Sequence, residues 1–525
     1  MWRDPGVTIF PGNASGWLNL VARASSLKFS HIFGTLCCDV TGRRPVVYEK
    51  GVGMEAALDV SLAVEGESSF GQKHFGAAQL GDKRLTDRAV ITADALMRHP
   101  GGTLPDKLDK NELLAFYDFA NNPKVNHANT LAAHYQHTRT LMESCAGVVL
   151  IIHDTTEADY TTRNIDGLGQ IGNGGRRGIL LHNVLAVDLA NREAMGLVAQ
   201  FPHKRRTVPK GESPTAKRMH PERESRLWSK GAAAVGRPPK EKLWVNLMDR
   251  GGDTFESMEQ QQKLGQTFVV RSRSDRNVEV ADASGRRRKR KLHKWARKLP
   301  RLGRREVAVS AQADREARTA MVAVGCGPVR LLVPRSKRGE HGDEPLEVWV
   351  VHLQEVDAPK GVVPLEWILL TNAPTQTREQ AFERVDWYNC RPIVEEYHKA
   401  QKTGCGIELP QFLKLKAIQV TIALLSVVAV QLLRLRDLSR RPDADTIPAT
   451  EVIDVDYVEI LSLWRMKVAK MDWSVKEFLY ALARLGGHLG RRGDRPPGWL
   501  VLWRGWMELQ RLVDGARLIR KKRCG

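Results

Sequence analysis

Cysteine is scarce in this chain: Cys37, Cys38, Cys145, Cys326, Cys390, Cys405 and Cys524 make seven in 525 residues, with no Cys-x-x-Cys pair. An odd, dispersed set excludes a disulfide framework and a zinc ribbon, and points to a reducing compartment. No Gly-x-Ser-x-Gly elbow and no Walker loop occur, so neither a serine nucleophile on a strand-to-helix turn nor a phosphate-cradling loop is signalled. The first residues lack the charged, apolar, small-residue order of a signal peptide. No internal repeat is found. Acids are the minority charge, 60 against 81 Lys plus Arg, leaving a formal net charge of +21. That surplus favours a large anionic partner. Long apolar runs are nearly absent too. Ala417–Leu433 approaches a membrane span, but Gln419, Thr421, Ser426 and Gln431 interrupt it, and the expectation is a buried core helix.

What is present is globular. A hydrophobic share of 42% supplies ample core, and 525 residues suggest three or four domains. Residues 1–64 show no sustained period and read as a weakly ordered extension. Residues 65–140 read as helices rich in basic residues, a form suited to docking nucleic acid. From Gly147 the pattern changes. GVVLIIHD, ending at Asp154, is a β-branched run of the kind buried on both faces of a sheet. Strands follow at Ile179–Leu189 and Ala194–Gln200 around a turn at Ala190, Asn191 and Arg192. Next come a helix over Pro221–Ala234, a strand over Leu243–Asp249, a helix from Thr254 and a strand over Thr267–Arg271. This order predicts an α/β sandwich with a mixed sheet over 141–274, resumed over 365–408. Between them, residues 275–364 read as a β-rich basic insertion. Its stretch from Arg286 to Arg305 holds twelve basic residues and no acid. Residues 409–525 read as helical.

Two acids stand at the ends of predicted buried strands, Asp154 in HDTT and Asp249 in MDRGGD, where open α/β sheets present chemistry. Either alone is as well explained as a turn or capping residue. Asp159 and Asp166 read as loop residues, Asp253 as the cap of the following helix, and Asp188 as a turn residue. The third element is WYNCRPIVEEYHKAQKTG, in which Tyr388, Arg391, Glu395 and Lys402 stand at offsets 0, 3, 7 and 14. A helix starting at Pro392 puts Glu395 and Lys402 nearly two turns apart on one face, with Glu396 rotated away. A solvated charged helix explains Glu395, Glu396 and Lys399 equally cheaply, but not a third acid following the sheet. Three carboxylates from two strands and a helix suit two divalent cations and an in-line displacement. His153 and Cys145 read as packing neighbours of Asp154.

HDTT, MDRGGD and the Y-x2-R-x3-E-x6-K spacing together resemble the DDE transposases of the RNase H-like superfamily, in particular the insertion-sequence-four family. The likeness runs from about His74 to Gly515 and includes FGAAQLGDKRLTDR, FVVRS, PKGVVPLEWILLT, ARLGGHLG and LWRGWMELQRLVDG. It implies an RNase H-like catalytic core with a β-rich insertion, flanked by a helical DNA-binding domain and a helical C-terminal dimerisation region. It further implies Asp154, Asp249 and Glu395 as the catalytic, metal-binding triad for two Mg²⁺ ions, with Mn²⁺ able to substitute. Tyr388, Arg391, Lys402 and Arg271 would hold the DNA strand. Trp367 would accommodate a flipped base, and Arg84 and Arg88 would reach the element's ends. Two departures stand out: Pro392 replaces an aromatic, and Gly251 replaces the acid of Asp-Arg-Glu. Trp499, Trp503 and Trp506 read as core or interface. The implied protein is a cytoplasmic, nucleoid-associated bacterial transposase that binds terminal inverted repeats on double-stranded DNA as a homodimer, without a membrane. A structure-directed nuclease and a non-cleaving end-binding repressor are the alternatives.

Overall fold

The computed structural model describes residues 69–98, 102–282, 284–309, 318–441, 443–494 and 496–524; the extension expected over 1–64 lies outside them. Four helices come first: α1 (Phe70–Phe75), α2 (Lys83–Arg98), α3 (Lys110–Asn121) and α4 (His127–Ser144). Local chemistry sets two of their starts. The Asp109 and Asn126 side chains accept from the backbone N–H three residues on, and each is answered by a reciprocal bond. Ala89, Ala93 and Leu96 of α2, Phe116 and Phe119 of α3 and Leu131 of α4 are buried in the main core.

The sheet begins with β1 (Val149–Asp159). It pairs antiparallel with β3 (Arg177–Asp188), which in turn pairs with β2 (Gly169–Gln170) and β4 (Glu193–His203). Two helices, α5 (Pro214–Met219) and α6 (Arg226–Val235), lead to β5 (Trp244–Met248), and α7 (Phe255–Lys263) leads to β6 (Thr267–Arg271). β1, β5 and β6 run parallel. The order β4–β3–β1–β5–β6, antiparallel on one side and parallel on the other, is the RNase H-like core. The expected helix over Pro221–Ala234 starts later, at Arg226. Thr254, not Asp253, caps α7, since its side chain accepts from Ser257 N. Asp253 is instead buried, with Oδ2 accepting from Arg273 N at 2.7 Å and Oδ1 paired to Arg276. Asp188 does hold the β3–β4 turn, accepting from Ala190 N at 2.9 Å.

The basic stretch expected as an insertion continues the same sheet. Its elements are β7 (Asn277–Ala281), β8 (Arg287–Lys291), α8 (Leu292–Ala296), β9 (Gly303–Val309), β10 (Arg318–Leu331), α9 (Arg338–His341) and β11 (Leu346–Glu355), followed by β12 (Glu366–Thr371). β12 pairs antiparallel with β6, and β11, β10, β7 and β8 follow outward in turn, so the sheet reaches twelve strands. β10 runs unbroken through Gly325 and Gly327 because both pair with β11, and a Cβ there would stand 2.6 Å from the Pro300 carbonyl oxygen and 3.0 Å from the Trp295 ring.

The rest is helical: α10 (Arg378–Asn389), α11 (Ile393–Lys399), a π-helical turn (Ala400–Gly404), α12 (Leu415–Leu438), α13 (Val455–Met466), α14 (Val475–Leu485) and α15 (Trp499–Cys524). The long apolar run lies in α12, which is buried without a break from Val420 to Leu438. Its polar interruptions bond to neighbours: Ser426 Oγ meets the side chains of Gln200 and Gln401, and Gln431 meets His74. Protein therefore covers the apolar surface that a membrane would otherwise have to cover. Trp499, Trp503 and Trp506 are all buried, and Trp506 stacks on Tyr457 at 5.0 Å.

α14 meets α15 at two glycines. A Cβ on Gly505 would lie 1.9 Å from the Leu482 carbonyl oxygen, and one on Gly486 would lie 1.8 Å from that of Val501. Backbone cannot retreat as a side chain can. Gly505→Ala should therefore destabilise the protein by about 2 kcal/mol or more in denaturant unfolding. Gly515→Ala, on the same helix with nothing within 4 Å, should be neutral or stabilise by up to about 1 kcal/mol. Equal behaviour of the two variants would refute the close crossing.

Candidate active site

Strand parity decides which way the acids point. Leu150 and Ile152 of β1, with Val245 and Leu247 of β5, face the main core, while Val149, Ile151 and Trp244 face a second cluster on the opposite side. The parallel pairing ends at His153↔Met248. The next residues, Asp154 and Asp249, share the parity of the main-core set and so stand side by side on the face covered by α11. β1 itself does not end at Asp154, as the sequence predicts. It runs on to Asp159 because β3 keeps pairing with it as far as Gly178. Asp159 is thus a strand residue, ion-paired with Arg176. Asp166 forms an isolated bridge to Lys414.

Asp249 caps a short turn, Oδ1 accepting from Gly251 N at 2.8 Å. Pro392 precedes α11, and its carbonyl accepts from Glu395 N at 3.0 Å. Arg391, between α10 and α11, joins the site together. Its Nη2 donates to Asp154 Oδ2 at 2.8 Å and its Nη1 to Glu395 Oε1. Burial raises the Asp154 carboxyl to about 6; Arg391 opposes the rise, and the Asp249 and Glu395 charges reinforce it. His398 Nδ1 lies 3.9 Å from Asp154 Oδ2. Burial, with Lys402 and Arg391 beside it, holds the His398 ring down at about 3, so it is neutral near pH 7. His398 was not singled out in the sequence, although it stands one helical turn beyond Glu395.

A second group lies beside Asp249. Trp367, at the start of β12, meets Tyr388 edge-to-face at 5.2 Å. The Tyr388 hydroxyl, pushed up to about 12 by burial, hydrogen-bonds with Arg271, whose Nη2 also donates to the Glu366 carbonyl at 3.2 Å. Arg250, Arg271, Ser272, Arg273, His293, Arg297 and Glu366 line a cavity of about 300 Å³ there. Of these Arg271, and Arg297 as part of the basic run, were expected from the sequence; Arg250, directly following Asp249, was an available signal. Gly251 has a steric cause: a Cβ would stand 2.6 Å from the Trp228 ring.

Other expected residues fall elsewhere. Lys402 lies in the π turn, 3.8 Å from Glu408, so the simple helical face expected for Glu395 and Lys402 does not persist that far. Glu396 turns away, accepting from Trp499 Nε1 at 3.2 Å and from Lys399 Nζ at 2.8 Å. His153 points to the opposite face and meets Asn246 Oδ1 at 2.8 Å. Cys145 caps α4. Arg84 is exposed and paired with Asp82 at 3.0 Å; Arg88 is half-buried on the same helix. The basic run divides in two. Arg297 and Arg305 pair with Glu366 and Asp386, whereas every residue of β8 is exposed. Among the described β8 residues only Arg288 finds an acid, Asp282 at 3.1 Å.

Asp154, Asp249 and Glu395 offer hard carboxylate oxygens, and Asp154 feels the charge of the other two, in keeping with the chemistry of a Mg²⁺ site. As they stand, however, no three His, Cys, Asp or Glu side chains among the described residues converge on one ion position.

Two family models match the chain: "Transposase DNA-binding" over residues 67–125, and "Transposase Tn5 dimerisation domain" over residues 427–524. The cryo-EM structure of a piggyBac transposase synaptic complex with hairpin DNA is similar over 78% of this chain, at 9% identity and a TM-score of 0.30. The alignment spans 62% of that longer chain.

The raised Asp154 carboxyl has a signed consequence for metal-free protein. With a folded value of about 6, above the ordinary 3.8, the stability it contributes is full at acid pH and lost as pH rises through 6. Asp154→Asn should therefore be more stable than wild type above about pH 6.5, by roughly 2 kcal/mol, with the gain fading toward pH 4. Thermal melts in chelator across pH 4–8 measure it; a pH-independent difference would overturn the assignment.

Proposed function

We propose that this member of the Tn5-like transposases is a cut-and-paste DNA transposase whose catalytic acids are Asp154, Asp249 and Glu395. The reading rests on one observation: the two aspartates follow directly on the last parallel-paired residues of β1 and β5, and Arg391 ties the first of them to Glu395. The matched flanking domains support it, since they lie before and after these acids.

Asp154, Asp249 and Glu395 would hold two Mg²⁺ ions, or Mn²⁺ in their place. Such ions, when bound, neutralise charge on a phosphate during in-line displacement. The chain's own residues then divide the remaining work. Arg391, Tyr388 and Lys402 orient the strand beside the acids. Arg271 and the arginines around the 300 Å³ cavity attract backbone phosphate. Trp367, braced by Tyr388, offers a stacking face to a base turned out of the duplex during hairpin formation. Arg84 and Arg88 on α2 face the terminal inverted repeat. The sequence of events is hydrolysis of the 3′ strand end, attack of the freed 3′ hydroxyl on the opposite strand to make a hairpin, hairpin opening, and strand transfer into target DNA. α15 exposes Leu512, Leu518 and Ile519, apolar surface that supports pairing of two copies. The setting is the bacterial cytoplasm, on the nucleoid.

The direct experiment incubates the protein with DNA carrying its native ends and Mg²⁺, and reads nicks, hairpins and joined products. Asp154→Ala, Asp249→Ala and Glu395→Ala should each retain end binding and lose cleavage by several orders of magnitude. Glu396→Ala, which removes the hydrogen bonds to Trp499 and Lys399, should cleave within about tenfold of wild type. A dead Glu396→Ala beside an active Glu395→Ala would reject the assignment.

β8 gives a second test. Replacing Arg287, Lys289, Arg290 and Lys291 by Gln should flatten the dependence of log binding constant on log salt by about 3 to 4 units, with sequence preference unchanged. Arg305→Gln, which breaks the pair with Asp386, should lower stability and leave the slope within about one unit. An unaltered slope in the β8 variant would return that strand to a solvated edge.

A further inference from the structure

Arg391 engages the oxygens that a metal ion would need. Its guanidinium takes Asp154 Oδ2 and Glu395 Oε1, while Asp154 Oδ1 already accepts from Thr155 N at 2.9 Å. The Arg391 side chain is 17% exposed and Glu395 is 49% exposed, so the pair sits at the mouth of the site rather than sealed within the core. Arg391 Nε is buried and has no hydrogen-bond partner, so the guanidinium is held almost wholly by the two acids. It belongs to the short link between α10 and α11, not to either helix.

A guanidinium and a divalent cation are poor companions on one pair of carboxylates. Both need the same lone pairs, and their like charges repel at a few ångströms. The arrangement also accounts for the failure of the three acids to converge on one point, because Arg391 lies between two of them.

We propose that Arg391 is a built-in counter-cation, holding Asp154 and Glu395 together until a divalent metal displaces it and frees the guanidinium for the phosphate of the DNA strand. This rests on the reading of Asp154 and Glu395 as metal ligands. It makes metal loading and strand capture one coupled event. Metal that expels Arg391 makes it available to phosphate, and phosphate that draws Arg391 away improves the metal site, since coupling between two ligands is reciprocal.

The test is Mn²⁺ binding to the full, DNA-free chain, read from the loss of the free-ion signal in electron paramagnetic resonance. Arg391→Ala and Arg391→Gln should each bind Mn²⁺ about tenfold more tightly than wild type, within the usual range of coupling between sites. The Gln variant keeps most of the side-chain volume, and far-ultraviolet circular dichroism checks that each variant is folded. Asp154→Asn should abolish the site in every background. If Asp154→Asn removes binding while both Arg391 variants bind no better than wild type, the counter-cation role is wrong and the metal site stands. If Asp154→Asn leaves binding intact, both fail together.

Discussion

The register of two parallel strands is the constraint on which the site depends. β1 and β5 stay in step from Val149↔Trp244 to His153↔Met248, and their side chains alternate in phase. Slipping either strand by one residue would turn its acid to the opposite face, toward the cluster holding Val149 and Ile151, and separate it from α11. Five consecutive buried apolar or hydrogen-bonded pairs resist that slip. His153 and Asn246 add a polar lock. They meet at 2.8 Å on the reverse face, where a slipped register would break this buried bond.

Held in this register, Asp154 is unfavourable to stability. Asp154 is mostly buried, stands beside two other carboxylates and has Arg391 as its ionic partner. Burial and like charge raise its proton affinity, whereas the guanidinium lowers it, and the net result is a carboxyl near 6. A fold optimised only for stability would place an amide or an apolar residue there. A mostly buried carboxylate kept against that pressure, beside two others, is the kind of perturbed group found at chemical sites. The cost is carried by a large core centred on α12, where each buried leucine or valine contributes roughly 1.5–3 kcal/mol.

Much of this was legible in the sequence, and what was not follows a pattern. β3, β4, β5 and β6 could be read because buried β-branched runs bounded by turn residues leave few alternatives. α12 could be placed inside a core because its polar interruptions needed partners. Asp154, Asp249 and Glu395 could be singled out by order and spacing. Contacts across the chain could not be read. No local signal tells that β1 passes Asp154, since β3, more than twenty residues away, sustains it. Nothing near Arg297 announces Glu366, so a run of twelve like charges looked uniform when its members divide between ion pairs and open solvent. Gly251 looked like a missing acid; only Trp228 of α6 explains it.

The π turn after α11 shows how the fold reconciles two demands on adjacent residues. Gln401 is fully buried, its side chain bonded to Ser426 of α12 and facing Asn183 of β3. Those residues connect in turn to Gln200 of β4 and His127 of α4, so one polar network ties the first helical region, the sheet and α12 to this turn. Lys402, the next residue, must leave the core, and it does so near His398 and Glu408. A widened i→i+5 turn satisfies both by rotating the chain less per residue than the preceding α-helix does, a local irregularity often found at working sites. Because Gln401 is held by Ser426 and Asn183, the point at which Lys402 leaves the core is set by the core rather than by the flexibility of a surface helix. The same network therefore stabilises the fold and fixes where Lys402 emerges from it.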